Sequence, residues 1–458
     1  MDALLCDELL QEIFNRLPQP SAAVALVSRR WRRVLRSSTS SLSVRFHDPA
    51  MVASLAAYLA QHPFLSSLSV TGSGGDDRLL LAVASSCPNL RRLDFLCSQV
   101  STVSLCSLSV YCINLNSIAV AVPRPLSFRW LRCFSSLKSL SLSITNPRSE
   151  QHNTDQEEED DNDDACNNLG LNLDLDCLSL SGILPGDYEE LRYLWRSCKN
   201  VKKLELMNSE SLGDTSMFAR LIRGVKELEL RTCRSIVDVV LHKLSETNVC
   251  LNSLLVHDGG SREGLLHFIN HSKCNLTRLD LRLPLDLDNA HLTALSENPN
   301  FRGLATLRLQ SCSLVSGEGL KSVGRALADV LEELALINCD VGREPGLLTD
   351  LGQNLRRLRR VDLSYNDTLV DKEVVSMFAS GRLVEVKLRG CSKLTNIAVV
   401  SMVRMCKELQ WVDISYCSGI GVDGVEFLVK KKSSLKLRGV EVEGSKLSET
   451  AAKPVGSR

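Results

Sequence analysis

An α/β solenoid of stacked strand–helix units, led by a short all-α module, is the fold class this sequence predicts. Three observations predict it. The phrase Leu-x-x-Leu-x-Leu returns about every 25 residues from Leu65 to Val442. Apolar residues alternate around the core of each phrase, which is a strand period, and helical spacing follows it. The segment before the first phrase has neither feature and places its apolar residues at helix spacing instead.

The fourth position of the phrase serves as a marker. It falls at Leu68, Leu93, Ile118, Leu140, Leu178, Leu204, Leu228, Leu254, Leu279, Leu307, Leu334, Val361, Val386, Val412 and Val440. Only the step from Leu140 to Leu178 is long, and an insertion explains it. The clearest copies are late: Leu304, Leu307, Leu309 and Cys312, then Leu331, Leu334, Leu336 and Cys339. In the copy at Leu358, Val361 and Leu363, Asn366 takes the Cys place. Downstream of two late phrases, Asp371 to Ala379 and Asn396 to Met405 carry Val, Met and Phe at helical spacing. No such unit buries its apolar side alone, so neighbours must stack.

These copies resemble the leucine-rich-repeat family in its cysteine-containing subclass, over roughly residues 60–445. The resemblance implies a horseshoe with parallel strands on its concave face and helices outside. Several large apolar side chains per repeat are expected inside, each contributing about 1.5–3 kcal/mol before entropy is counted.

Composition narrows the function. Fifty-four basic residues balance 54 acidic ones, which argues against a dedicated nucleic-acid binder. No apolar run approaches the length of a spanning helix, and the acidic start Met1-Asp2-Ala3 is unlike a signal peptide, so no membrane role is expected. Seventeen cysteines are an odd number for a disulfide framework. Nine of them fall in repeat-locked columns: Cys233, Cys312, Cys339, Cys391 and Cys417 end the strand phrase, and Cys87, Cys112, Cys198 and Cys406 precede the next one. Buried free thiols in a reducing compartment, cytosol or nucleus, are expected. No C-x-x-C pair occurs, so no zinc site is expected.

Residues 1–45 form the separate module. Asp7 is placed as a helix N-cap, and Leu9, Leu10, Ile13, Phe14 and Leu17 lie on one stripe that Pro18 and Pro20 end. A second helix is predicted from Ser21 to Leu35, with Val24, Val27 and Trp31 on one face and Arg29, Arg30, Arg32, Arg33 and Arg36 on the other. So short a helix pair must dock on something, either the first repeat or a partner. Leu5, Glu8, Leu9, Leu10, Ile13, Phe14, Leu17, Pro18, Val27, Ser28, Arg29 and Trp31 resemble an F-box, with Cys6 where that family usually has Pro. The resemblance implies binding to a Skp1-like protein, and through it to a cullin–RING core, by Leu5, Leu9, Leu10, Ile13, Phe14, Leu17, Pro18, Val27 and Trp31. The arginine cluster reads as a solvated helix face or as a phosphate patch.

Residues 46–445 are assigned to the solenoid. Residues 149–167 interrupt it with eight carboxylates between Asp155 and Asp164, an expected disordered insertion, and residues 446–458 are an expected disordered tail. The usual catalytic motifs are missing, so no catalytic residue, cofactor or metal is assigned. His267 and His271 stand four apart, with no third ligand recognised in the sequence. The outward strand positions carry Arg282, Arg308, Arg360, Lys387, Arg389 and Trp411, assigned as the substrate-binding surface, with Trp411 the aromatic anchor.

The two resemblances together imply a non-catalytic substrate-recognition subunit of an SCF-type ubiquitin ligase, like the plant F-box/leucine-rich-repeat proteins. Its target would be an unidentified protein held on the repeats. Two alternatives stay open. One is a hormone or small-molecule co-receptor, with the same five cations lining a phosphate site. The other is a repeat scaffold without ligase function.

Overall fold

The computed structural model describes residues 5–16, 22–146, 172–282, 287–431 and 439–442. The acidic insertion, the tail, and Leu17 and Pro18 lie outside them. The chain divides into two compact units, Met1–Leu221 and Ile222–Arg458.

The first unit opens with helices α1 (Asp7–Arg16), α2 (Ala22–Val27) and α3 (Arg29–Ser38). One helix was expected where α2 and α3 stand. Ser28 breaks it: its backbone is extended (φ −158°, ψ 164°), and its side chain accepts the Trp31 N–H as the N-cap of α3. Seven strands follow, β1 (Ser41–Phe46), β2 (Ser67–Gly72), β3 (Arg92–Gln99), β4 (Ser117–Pro123), β5 (Ser139–Thr145), β6 (Cys177–Ser181) and β7 (Lys203–Met207). Among them lie α4 (Val52–Leu59), α5 (Asp77–Ser86), α6 (Thr102–Tyr111) and α7 (Tyr188–Ser197), and α8 (Thr215–Ile222) comes at the end. Consecutive strands pair in parallel, with the markers side by side: Leu68 with Leu93, Leu93 with Ile118, Ile118 with Leu140. Leu140 pairs directly with Leu178, so the long step leaves the register untouched. The short step from Ile118 to Leu140 has room only for a 3₁₀ turn, Arg129–Cys133, in place of an α-helix.

β1 corrects the expected boundary at residue 45. Its Leu42 pairs with Leu68, one full repeat before the first copy read from the sequence. β1 alternates like the other strands, with only Phe46 fully buried, but Thr39 stands where the phrase has its opening Leu.

The second unit holds β8 (Glu227–Arg231), β9 (Ser253–His257), β10 (Arg278–Arg282), β11 (Thr306–Gln310), β12 (Glu333–Ile337), β13 (Arg360–Asp362), β14 (Glu385–Lys387), β15 (Trp411–Asp413) and β16 (Gly439–Glu441). Its helices are α9 (Val237–Thr247), α10 (Arg262–His271), α11 (Asn289–Glu297), α12 (Gly317–Ala326), α13 (Leu347–Asn354), α14 (Asp371–Phe378), α15 (Asn396–Met405) and α16 (Val422–Lys431). Leu228, Leu254, Leu279, Leu307, Leu334, Val361, Val386, Val412 and Val440 pair in that order. From Leu228 to Val412 the markers and their i+2 partners are buried, so the core runs as a ladder of Leu, Val and Ile between strands and helices.

Where several strands turn toward their helices, the residue four past the marker takes a left-handed backbone. Asn208, Thr232, Asp258, Ser311 and Asn338 do so, with φ from 47° to 57°; Gly182 and Gly390 do so without Cβ strain; Tyr365 and Tyr416 do so at 61° and 60°. The turn keeps the ladder going, since the N–H of Tyr365 donates to Arg389 and that of Gly390 to Ser415.

The cysteine columns sit at the corners. Every cysteine in the described residues is a free thiol. Cys391 Sγ donates to the Leu363 carbonyl at 3.1 Å and Cys417 Sγ to Leu388 at 2.9 Å, each one repeat back. Burial pushes the Cys391 thiol up to about 12 and the Cys417 thiol up to about 11, which keeps both protonated and inert. Asparagine substitutes in both columns. Asn366 Nδ2 donates to the Leu336 and Leu363 carbonyls, and its Oδ1 accepts the N–H groups of Cys339 and Val341. Asn248, unrecognised in the sequence, serves the second column by bonding to the Ile222 and Val225 carbonyls.

Near the junction of α3 and the first repeat, His62 is buried, with Nδ1 at 3.0 Å from the Tyr58 carbonyl. Burial, aided by the charge of Arg36, holds its pKa below the usual histidine value despite that bond. The unfolded chain therefore takes up a proton near pH ~6.5 that the folded chain resists. The stability from His62 is present above that pH and is lost as pH falls through the lower folded pKa. Urea melts between pH 7.5 and 5 are expected to show His62→Gln less pH-sensitive than wild type. Parallel curves for the two proteins would refute this.

Candidate functional site

The N-terminal helices separate the seven described partner-facing candidates into two groups; Leu17 and Pro18 lie outside the described residues. Leu10, Phe14 and Val34 make a closed cluster, with Leu5, Val24, Trp31 and Leu35 packed around it. Phe14 and Trp31 meet ring to ring at 5.5 Å. Leu10 and Phe14 therefore hold the module together and are not available to a partner, which corrects their assignment, and Leu5 and Trp31 are half-buried in the same cluster. The reason is helix geometry: residues one apart on α1 point about 100° away from each other, so the apolar set covers two faces. Leu9 (52% exposed) and Ile13 (44% exposed) form the outward one, a single turn apart. Val27 is exposed on α2, as is Leu26, which sequence reasoning passed over. Leu9 and Ile13 do not pack beneath the first repeat.

Polar contacts fix this arrangement. Asp7 is the first residue of α1, and its carboxylate accepts Arg30 Nε at 2.8 Å. Arg30 Nη2 also donates to the Leu5 carbonyl at 2.7 Å, so this arginine ties α3 to the start of α1 and does not join the solvated face. Arg29, Arg32, Arg33 and Arg36 border a hollow of about 450 Å³ with Gln61 and Pro63.

On the strand surface of the second unit, four of the candidate substrate-binding cations are held in ion pairs within the sheet. Arg282 Nε lies 3.0 Å from Asp280, Arg308 Nη1 2.9 Å from Glu333, Arg360 Nε 3.2 Å from the same Glu333, and Lys387 Nζ 2.8 Å from Glu385. Arg308 also reaches Asp280 at 3.5 Å and Asp362 at 3.7 Å. The Asp280 contact raises the Arg282 pKa. These pairs weigh against the alternative in which the cations line a phosphate site: each of the four already has a carboxylate from its own or an adjacent strand. Asp280, Asp362 and Asp413, each at the strand position one past a marker residue, are buried. Trp411 is half-buried, which weakens it as an exposed anchor. Among the described residues, Arg389 makes no ion pair. It stands between two exposed tyrosines, Tyr365 and Tyr416, that sequence reasoning missed by stopping one residue short, at Ser364 and Ser415.

The histidine pair gains a neighbour. His242 on α9 lies 4.8 Å, ring to ring, from His267, which lies 4.3 Å from His271. His242 is one 25-residue period before His267, a spacing that would have revealed it. No group of three His, Cys, Asp or Glu among the described residues is placed to hold a metal ion. No described helix is long and apolar enough to cross a membrane.

The F-box domain family matches residues 3–41. F-box/LRR-repeat protein 17 of Arabidopsis thaliana is 24% identical over 453 residues, an alignment covering 90% of this chain and 66% of that protein; the chain thus spans just under two thirds of its relative. Among solved structures, the crystal structure of the yeast Rad7 and Elc1 complex contains a chain with 16% identity and a TM-score of 0.51, covering 99% of this chain and 92% of that one. The chain carries an F-box domain at its N terminus, followed by a leucine-rich-repeat solenoid fold.

Proposed function

We propose that this chain, an F-box domain leading into leucine-rich repeats, is the substrate-recognition subunit of an SCF-type ubiquitin ligase. The F-box holds a Skp1-like protein, and through it a cullin–RING core; the repeats hold a target protein. The chain contributes no chemistry of its own. It raises the local concentration of a target lysine near the conjugating enzyme. Cytosol or nucleus is the proposed compartment.

The observation that carries this reading is the exposure of Leu9 and Ile13 inside the F-box match. An apolar pair left outside a filled helical core suits docking into a groove on another protein. The ion pairs of Arg282, Arg308, Arg360 and Lys387 weigh against the phosphate-assisted co-receptor. The test is co-elution of the full chain with a purified Skp1-like protein on size exclusion. A one-to-one complex is expected, and two separate peaks at micromolar concentration would favour a scaffold without ligase function.

A further inference from the structure

Two tyrosines of the second unit stand where the turn alone does not require them. The position after several strands calls only for positive φ, which other repeats meet with Gly, Asn, Asp, Ser or, at residue 232, Thr, none of them aromatic. A bulky aromatic residue there is an outlier of the kind found at functional positions. Tyr365 and Tyr416 follow β13 and β15, two repeats apart, and are 47% and 43% exposed.

Between them lies Arg389. Its Nε donates to the Tyr365 hydroxyl at 2.8 Å, and its guanidinium carbon lies 4.6 Å from the Tyr416 ring centroid. Gly390 makes the space, since a Cβ there would come within 2.7 Å of Tyr365 Cδ1. Carboxylates fix the chain just before each tyrosine: Asp362 Oδ1 accepts the N–H and hydroxyl of Ser364, and Asp413 Oδ1 accepts the Ser415 N–H. The guanidinium is held by one edge and one face, and among the described residues no carboxylate pairs with it.

We propose that Tyr365, Arg389 and Tyr416 form a preorganised docking point for a protein partner, gripping a carboxylate of an acidic peptide segment beside the two rings. This rests on the reading of the repeats as the target-binding arm. Arginine flanked by tyrosine is the composition that concentrates binding energy at interfaces. A fork with its terminal nitrogens open matches a carboxylate. A phosphate dianion fits less well, because it would meet a single open cation with Asp413 close enough to act on Arg389.

The test uses the full chain and a phage library of random dodecapeptides. Selected peptides are expected to carry Asp or Glu next to an apolar or aromatic residue. Arg389→Gln and Tyr416→Gly should each weaken the labelled peptides at least about tenfold, while Arg404→Gln, an exposed arginine on α15, changes binding less than about twofold. Replacing the peptide carboxylate by its amide should cost as much as Arg389→Gln, and the two changes together should cost little more. Tyr416→Gly also relieves the backbone, so its melting temperature should stay close to wild type while binding is lost. Selected peptides without an acid, a preference for phosphorylated versions, equal losses in Arg389→Gln and Arg404→Gln, or no selection above background would each overturn the proposal. The assay contains no Skp1-like protein, so its failure leaves the F-box reading standing, and loss of F-box binding leaves this docking point standing.

Discussion

Replacing Leu9 and Ile13 together by alanine is expected to weaken binding to a Skp1-like protein at least about 100-fold while the helices stay folded. Two aliphatic side chains that become buried only in the complex contribute about 1.5–3 kcal/mol each, and about 3 kcal/mol corresponds to more than a hundredfold in affinity. Both residues are exposed in the free chain, and alanine is the better helix former, so α1 should survive. Isothermal calorimetry with the full chain, alongside far-ultraviolet circular dichroism, checks both halves of the expectation. Wild-type affinity in the double variant would place the partner surface elsewhere. Leu10→Ala is the informative contrast. Leu10 is fully buried against Phe14 and Val34, so its loss should melt the module by about 2–5 kcal/mol and abolish binding indirectly.

The second large effect belongs to Asn366. Its amide satisfies two carbonyls and two N–H groups, drawn from two successive repeats, at a fully enclosed corner. Asn366→Ala leaves these groups buried without partners, and each such group costs about 1–3 kcal/mol where water cannot enter. Partial relaxation brings the expected loss to roughly 3–4 kcal/mol. Asn366→Cys should recover part of it, because the equivalent Cys391 and Cys417 each donate to a carbonyl one repeat back. Chemical denaturation of the three proteins measures the order wild type, Cys, Ala. An alanine variant as stable as the cysteine variant would mean that water replaces the amide.

Much of this fold was legible because it repeats. The marker residues chosen from the phrase are the residues that pair across neighbouring strands, down to Val412 with Val440. β1 was not legible as a repeat: Leu42 and Val44 alternate with polar residues, but Thr39 replaces the Leu that opens the phrase elsewhere. The break at Ser28 was hidden because serine is tolerated inside helices, and only its extended backbone reveals the cap. In the helical module, periodicity identified which residues are apolar but not which of two adjacent faces closes on α3. On the strand surface it gave the direction of Arg308 but not its partners, because Glu333 and Asp362 come from strands one and two repeats away. Tyr365 and Tyr416 were missed because they lie in a turn, beyond the reach of a strand pattern.

The pairing of Leu140 with Leu178 has a practical side. Strand order in this region does not depend on how many residues join β5 to β6, and loop-closure entropy rises only slowly with length. That connection is therefore a natural splice point, where a fluorescent reporter or an affinity handle can be inserted into the chain while both ends stay free.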